Sequence, residues 1–280
     1  MGENTKNTED NVDPKPLDSR VGTPGLFRTY HLHPGDRYEL SDGHAIYCAP
    51  TSGDNARSIG AGFQVLDSDP DVESAGVDAG YALEDHTMRA PDIAVGGVPD
   101  SPGWIKGALP PLAVEYASIG QDEEELQQKI KTLLSKGTQW IWVVRLVGPR
   151  RVEVYSKEHG VKRFGPGTVL KAPGVLRNPV PIEALFDRRA AHESTLRNLL
   201  QRAGYQSLDD VRAEGKVEGK AEGKAEGLRV ACRAMIAHKF GEEVAAQAEG
   251  ALAKLQDAQL ESIMPLILEA TSPDGLLESI

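Results

Sequence analysis

Asp92, Glu115 and Lys129 are the residues whose types and settings most invite chemistry. Glu115 stands inside the apolar run Leu112-Ala113-Val114-Glu115-Tyr116, where an acid is expensive unless it is paired or bound to a cation. Asp92 follows Pro91 and opens the short apolar segment Ile93-Ala94-Val95. Two carboxylates on adjacent strands can hold Mg²⁺ or Mn²⁺ while leaving positions for water, and such an ion can activate water and neutralise charge on a phosphodiester under attack. Lys129 would supply the third group, donating to a phosphate or orienting the attacking water. Leu126 and Leu133, three residues before it and four after, share its helical face, so one ammonium interrupts an apolar stripe. Plainer readings stand beside these. Asp92 could cap a turn, Glu115 could pair with Arg89 in a structural bridge, and Lys129 could run along its helix with its head in water. The coincidence of all three favours the chemistry.

The elements that must position these residues are legible as short apolar runs broken by turn residues. Tyr38-Glu39-Leu40, Ser41-Asp42-Gly43 and Ala45-Ile46-Tyr47-Cys48 predict a strand, a tight turn and a return strand. Further strands are expected around Phe63 to Leu66, Gly80 to Leu83, Ile93 to Val95, Leu112 to Tyr116 and Trp140 to Leu146. Gly148-Pro149 then leads to another at Val152 to Tyr155. One helix is expected between the Leu112 and Trp140 strands. Asp122 and Glu125 have capping-box spacing, Leu126, Ile130, Leu133 and Leu134 recur at helical intervals, and Gly137 ends it. The pattern implies an α/β domain built on a mixed sheet.

The chain has 280 residues, enough for one well-buried core and an appended module. Residues 1–25 are polar with almost no apolar content and are expected to be a disordered leader. The main, catalytic domain is expected over 26–190, a helical linker with Glu-Gly-Lys repeats over 191–227, and a small helical module over 228–280. In the linker, Glu214-Gly215-Lys216-Val217 recurs every four residues as far as Glu226-Gly227. As a helix it would form a rod able to pair with a second copy or a protein partner. Its internal glycines each cost about 1 kcal/mol in a helix, which favours a fraying linker. Beyond it, Leu228 to Phe240, Glu242 to Leu255 and Asp257 to Glu269 have amphipathic spacing, and Ser272-Pro273 opens a last turn.

No run approaches the 18 apolar residues that would span a bilayer, so no membrane role is expected. The start lacks the pattern of a signal peptide, and the two cysteines, Cys48 and Cys232, fall in regions assigned to different modules. A cytoplasmic location is therefore expected. A formal charge of −11 argues at first against nucleic acid. Residues 145–189, however, hold ten Lys or Arg against four acids, a local balance of +6. Such a strip could track phosphates or be an ordinary solvated hairpin face.

The ordered series Tyr38-Glu39-Leu40-Ser41-Asp42-Gly43, Arg89-Ala90-Pro91-Asp92-Ile93-Ala94-Val95, Pro111-Leu112-Ala113-Val114-Glu115-Tyr116-Ala117-Ser118, then Lys129, Gly137 and Trp142, resembles the Uma-two family of restriction-endonuclease-like proteins. That family lies within the PD-(D/E)XK nuclease superfamily, and the resemblance spans roughly residues 26 to 186. It implies a central mixed β-sheet flanked by helices, with Asp92 and Glu115 holding Mg²⁺ or Mn²⁺ and Tyr116 as a further metal position. The superfamily's lysine stands two residues after the acid. Here that position is Ala117, so the resemblance implies that Lys129 serves from the helix. Glu39 matches a family position as an auxiliary acid, although a strand glutamate beside a turn is as often just solvated. The implied activity is metal-dependent hydrolysis of phosphodiesters, of DNA before RNA. The competing expectation is a nuclease fold without catalysis, recruiting nucleic acid or protein through the basic strip and the helical tail.

Overall fold

The computed structural model describes residues 26–280, and the leader expected over 1–25 lies outside them. Contacts divide the chain into two units, Met1–Ala203 and Gly204–Ile280.

The first unit opens with the hairpin β1 (Tyr38–Ser41) and β2 (His44–Tyr47), then helix α1 (Gly53–Asp67). Asp42 and Gly43 join the hairpin strands with φ of 48° and 83°, the two left-handed residues that a type I′ turn requires. Strands β3 (Ala75–Val77), β4 (Tyr81–Glu84), β5 (Thr87–Arg89), β6 (Ile93–Val95), β7 (Ile105–Lys106) and β8 (Leu112–Ala117) follow, then helix α2 (Glu123–Lys136). The unit ends with β9 (Trp140–Arg145), β10 (Arg151–Ser156), β11 (Gly160–Phe164), the short pair β12 (Val169–Leu170) and β13 (Val180–Pro181), and helix α3 (Arg188–Arg202).

Two larger sheets result, not one. The first runs β2-β1-β5-β4-β7 and the second β11-β10-β9-β8-β6-β3. Both are mixed, because β8 pairs in parallel with β9 and β4 with β7 while the other pairs are antiparallel. Strands of two or three residues such as β3, β5 and β7 are too short to leave a period-two signal, so the division into two sheets is not legible in the pattern. The alternation of β8 decides where the site lies. Leu112, Val114 and Tyr116 join the core shared with α1. Ala113 and Ala117 join a second core with Leu126, Ile130 and Leu133 of α2. Glu115 shares the parity of Ala113 and Ala117 and therefore faces α2.

Helix α2 matches its expected bounds. Asp122 accepts a hydrogen bond from the Glu125 N–H at 3.1 Å, and Gly137, with φ of 130°, follows the last turn. Helix α1 corrects the expectation of a strand around Phe63 to Leu66. Ser58, Ile59, Gly62, Val65 and Leu66 are its buried residues and recur at helical spacing. Gly62 is required there, since a Cβ would collide with the Tyr116 hydroxyl. Helix α3 runs through the boundary expected at residue 190 and stays with the first unit. Asn198 donates to the Val65 carbonyl, and Arg202 donates to the carbonyls of Asp67, Ser68, Asp69 and Val72.

The second unit is helical: α4 (Leu208–Phe240), α5 (Glu242–Leu252), α6 (Asp257–Glu269) and α7 (Pro273–Leu277). Helix α4 passes unbroken through the Glu-Gly-Lys repeats, in keeping with a helical segment there. Ser207 closes its start with a reciprocal capping box to Asp210. Cys232 and Ile236 anchor its far end in a core with Ala245, Ala248, Leu260 and Ile263. With a nucleus held by packing at one end and a cap at the other, each intervening residue adds a hydrogen bond, and the glycine cost is absorbed.

Candidate active site

Strand pairing brings the two acids together. β6 pairs antiparallel with β8 through Ile93↔Val114 and Ala94↔Ala113; continuing that register by one residue sets Asp92 opposite Glu115, so both project to the α2 side. Asp92 Oδ2 accepts the Tyr116 N–H at 2.6 Å. Lys129, on the buried stripe of α2 with Leu126, Ile130 and Leu133, reaches the same place. Its ammonium donates to Glu115 Oε2 at 3.0 Å, to Glu39 Oε1 at 2.9 Å and to the Ala90 carbonyl at 2.7 Å. All three donors are used. Glu39 comes from β1 of the other sheet and is buried, which overturns its reading as a solvated glutamate.

Arg89 was weighed in the sequence as a partner for Glu115. It is fully buried and turns elsewhere, to Glu39 Oε2 at 3.4 Å, Ser41 Oγ at 2.8 Å and Glu125 on α2. The pairing β1·β5, Leu40↔Met88, places Glu39 opposite Arg89 in the same way that Asp92 lies opposite Glu115. The role of Arg89 escaped sequence reasoning because it depends on a strand pairing between distant segments. Glu125 had a local signal: it lies four residues before Lys129 on the same helical face. Asp78, exposed and with φ of 52°, had none. Its carboxyl is pushed up by desolvation and by Glu39, with Lys129 acting against them.

Burial dominates the electrostatics. The Glu115 carboxyl is pushed up to about 8, first by desolvation and further by Asp92 and Glu39, against the pull of Lys129. Asp92 is pushed up to about 6 by desolvation, with Lys129 and the Tyr116 N–H opposing. For Lys129 burial acts to release the proton, but Glu115, Glu39 and Asp92 outweigh it and hold the ammonium charged. Lys129 thus pairs with Glu115 and Glu39, and Arg89 shares Glu39 with it.

The Uma2 family profile, described as "Putative restriction endonuclease", matches residues 26–179, more than half of the chain. The chain belongs to the Uma2 family. With it comes membership of the PD-(D/E)XK nuclease superfamily. Among solved structures, the chain is similar to one titled as a "putative nuclease belonging to DUF820 from Anabaena variabilis", at 21% identity and a TM-score of 0.48, covering 54% of this chain and 90% of that one. No curated protein matches the chain.

The donor chemistry of this Uma2 site suits a hard divalent cation. Glu115 Oε1 lies 2.9 Å from the Lys129 ammonium yet in no hydrogen-bonding alignment, which leaves a buried carboxylate oxygen without a donor. Among the described residues no three His, Cys, Asp or Glu side chains converge as a ready-made metal cage. Two carboxylates would therefore do the holding, as is usual for Mg²⁺, which keeps several of its waters. Tyr116, also expected as a metal position, could serve there only through its main chain. Its phenol points to the opposite face of the sheet and donates to the Leu185 carbonyl at 2.9 Å, so only its main chain stands beside Asp92.

Part of the basic strip is spent on internal pairs. Arg145, Arg151 and Arg163 surround the buried Glu153, Arg145 also grips Glu123, and Arg177 pairs with Asp71. Arg145 is pushed up first by its hydrogen bonds to Glu123, which ties α2 to the sheet. Glu123 and Asp71, from outside the strip, thus take up part of its +6 excess.

Proposed function

We infer that the first unit is a Mg²⁺- or Mn²⁺-dependent nuclease that hydrolyses phosphodiester bonds, of DNA in preference to RNA. The observation that carries this reading is the convergence of Asp92, Glu115 and a helix-borne Lys129 from three separate elements, with a carboxylate oxygen left without a donor. Such an arrangement costs stability and has no structural need.

Asp92 and Glu115 would hold the cation, with the main chain at Tyr116 beside them. The bound cation supplies charge neutralisation at the phosphodiester and lowers the pKa of water. The chain's own residues do the rest. Asp92 is oriented by the Tyr116 N–H, and Glu115 must release its proton before it can ligate. Lys129 exchanges one of its three acceptors for a phosphate oxygen or the attacking water and so brings positive charge to the developing transition state. Glu39, as an auxiliary acid, keeps that ammonium charged and aimed.

A second reading has support in the saturation of Lys129, whose three donors are all occupied within the chain. In it the fold is retained as a binding module without catalysis. Cleavage of plasmid DNA with Mg²⁺ or Mn²⁺, set against chelator and against Asp92→Ala, separates the two. Metal-dependent nicking that Asp92→Ala abolishes supports the nuclease, and nicking equal in the variant defeats it.

The second unit would serve self-association or a protein partner, since the repeat segment of α4 is exposed along its length. No helix among the described residues is long and apolar enough to cross a membrane. A cytoplasmic setting suits the free thiols of Cys48 and Cys232.

A further inference from the structure

Arg89 has no part in the reaction outlined above, yet among the described residues it is the largest charged side chain with no exposed surface. A guanidinium is not placed there for packing, because an apolar residue of similar volume would be cheaper. Its bonds have a direction. It donates to Glu39 Oε2, leaving Oε1 of the same carboxylate for Lys129. It donates to Ser41 on the same strand, which fixes the height of β1 against β5. Its next residue, Ala90, supplies the carbonyl that takes another Lys129 donor. Two of the three acceptors around the ammonium therefore adjoin Arg89: Glu39 is held by its side chain, and the Ala90 carbonyl follows it in the chain.

The charges point the same way. Glu39 without Arg89 would be a full carboxylate facing a single ammonium, and would draw Lys129 away from Glu115. Shared between two cations, it holds Lys129 without capturing it. We propose that Arg89 is a positioning residue: through Glu39 and the Ala90 carbonyl it sets Lys129 against Glu115. A lysine at 89 keeps the charge but cannot reach Glu39, Ser41 and Glu125 at once, because it lacks the planar fork. The activity arm of the test rests on the nuclease reading, and the spectroscopic arm does not.

The test uses the full chain labelled with ¹⁵N-lysine and reads the ammonium resonance of Lys129, assigned by its loss in Lys129→Met. Arg89→Lys and Glu39→Gln are each expected to shift or broaden it, and the double variant to do no more than the stronger single change, because the two act in series. Glu125→Gln frees α2 from the guanidinium but leaves the Arg89–Glu39 contact, and is expected to leave the resonance in place. In metal-dependent cleavage, Arg89→Lys and Glu39→Gln are expected to lose roughly 10- to 100-fold in kcat with KM little changed. An unmoved resonance in Arg89→Lys, or an effect that adds to that of Glu39→Gln and equals that of Glu125→Gln, overturns the proposal and leaves Arg89 as a clamp on α2. A parent that never cleaves defeats the nuclease reading, while the resonance still decides the role of Arg89. Should Arg89→Lys fail to fold, Arg89→Gln, which leaves no second buried ammonium beside Lys129, is read in its place; a Lys129 resonance unmoved there overturns the proposal equally.

Discussion

Replacing Glu115 by Gln removes the ionisable group and keeps the shape, and its effect on stability should depend on pH. Glu115 carries a folded-state pKa raised from 4.5 to about 8, and Asp92 one raised from 3.8 to about 6. A raised carboxyl stabilises the fold fully below its unfolded pKa, and that contribution disappears as pH climbs through the folded value. Between those limits the native state binds more protons than the unfolded one, so stability falls with rising pH. Integrated from pH 5 to pH 8, Glu115 removes about 3 kcal/mol and Asp92 about 1 kcal/mol. In a unit of this size the Glu115 share corresponds to roughly 10 °C in Tm. The parent in chelator should therefore melt markedly lower at pH 8 than at pH 5. Glu115→Gln should keep only the Asp92 part of the slope and overtake the parent at alkaline pH. Thermal melts followed by tryptophan fluorescence read the first unit alone, because all three tryptophans, Trp104, Trp140 and Trp142, lie within it. Parallel pH profiles for parent and variant would refute the buried, proton-retaining Glu115.

Mn²⁺ binding measured by calorimetry should tighten by about 30-fold from pH 6.5 to pH 8.5, since both carboxyls must lose their protons to ligate; affinity that is flat over that range would remove Glu115 from the ligand set. Lys129→Met should abolish cleavage and also destabilise, by about 3 kcal/mol at pH 8 and less at pH 5, where Asp92 and Glu115 are protonated. Equal melting of parent and variant at pH 8 would mean that the carboxylates do not depend on that ammonium. A chain ending after Ala203 should fold alone and give the parent's melt by tryptophan fluorescence. One ending after Ala190 should be strongly destabilised, because Asn198 and Arg202, which bond the carbonyls at the end of α1, are gone; equal stability of the two would show that α3 is dispensable. Gly219→Ala on α4, where a Cβ meets nothing within 4 Å, should stabilise the second unit by up to about 1 kcal/mol. A loss of stability or of self-association by sedimentation would show that the glycine packs against a partner.

Local order was legible wherever the signal was itself local. The Asp42-Gly43 turn, the capped helix from Asp122 to Gly137 and the strand around Glu115 all follow from backbone preference and the alternation of side chains over a few residues, which any sequence displays. The pairing of Asp92 with Glu115 was an inference from the cost of burying an acid, and the registers of β6 and β8 place the two opposite each other. What stayed hidden depended on contacts between distant segments. Phe63 to Leu66 has the apolar content of a strand, and its helical period shows only over the longer span from Ser58 to Leu66, whose buried face packs on Tyr116. Arg145 to Arg189 counts as basic in one dimension, yet Glu123 and Asp71, far away in the chain, offset part of it in three. Arg89 and Glu39 lie fifty residues apart, and nothing in either neighbourhood says that one strand will lie beside the other. Residue types and their spacing determined which groups were able to do chemistry. Long-range strand pairing alone decided which of them share an ammonium, because side-chain electrostatics act over a few ångströms of space and are indifferent to separation along the chain.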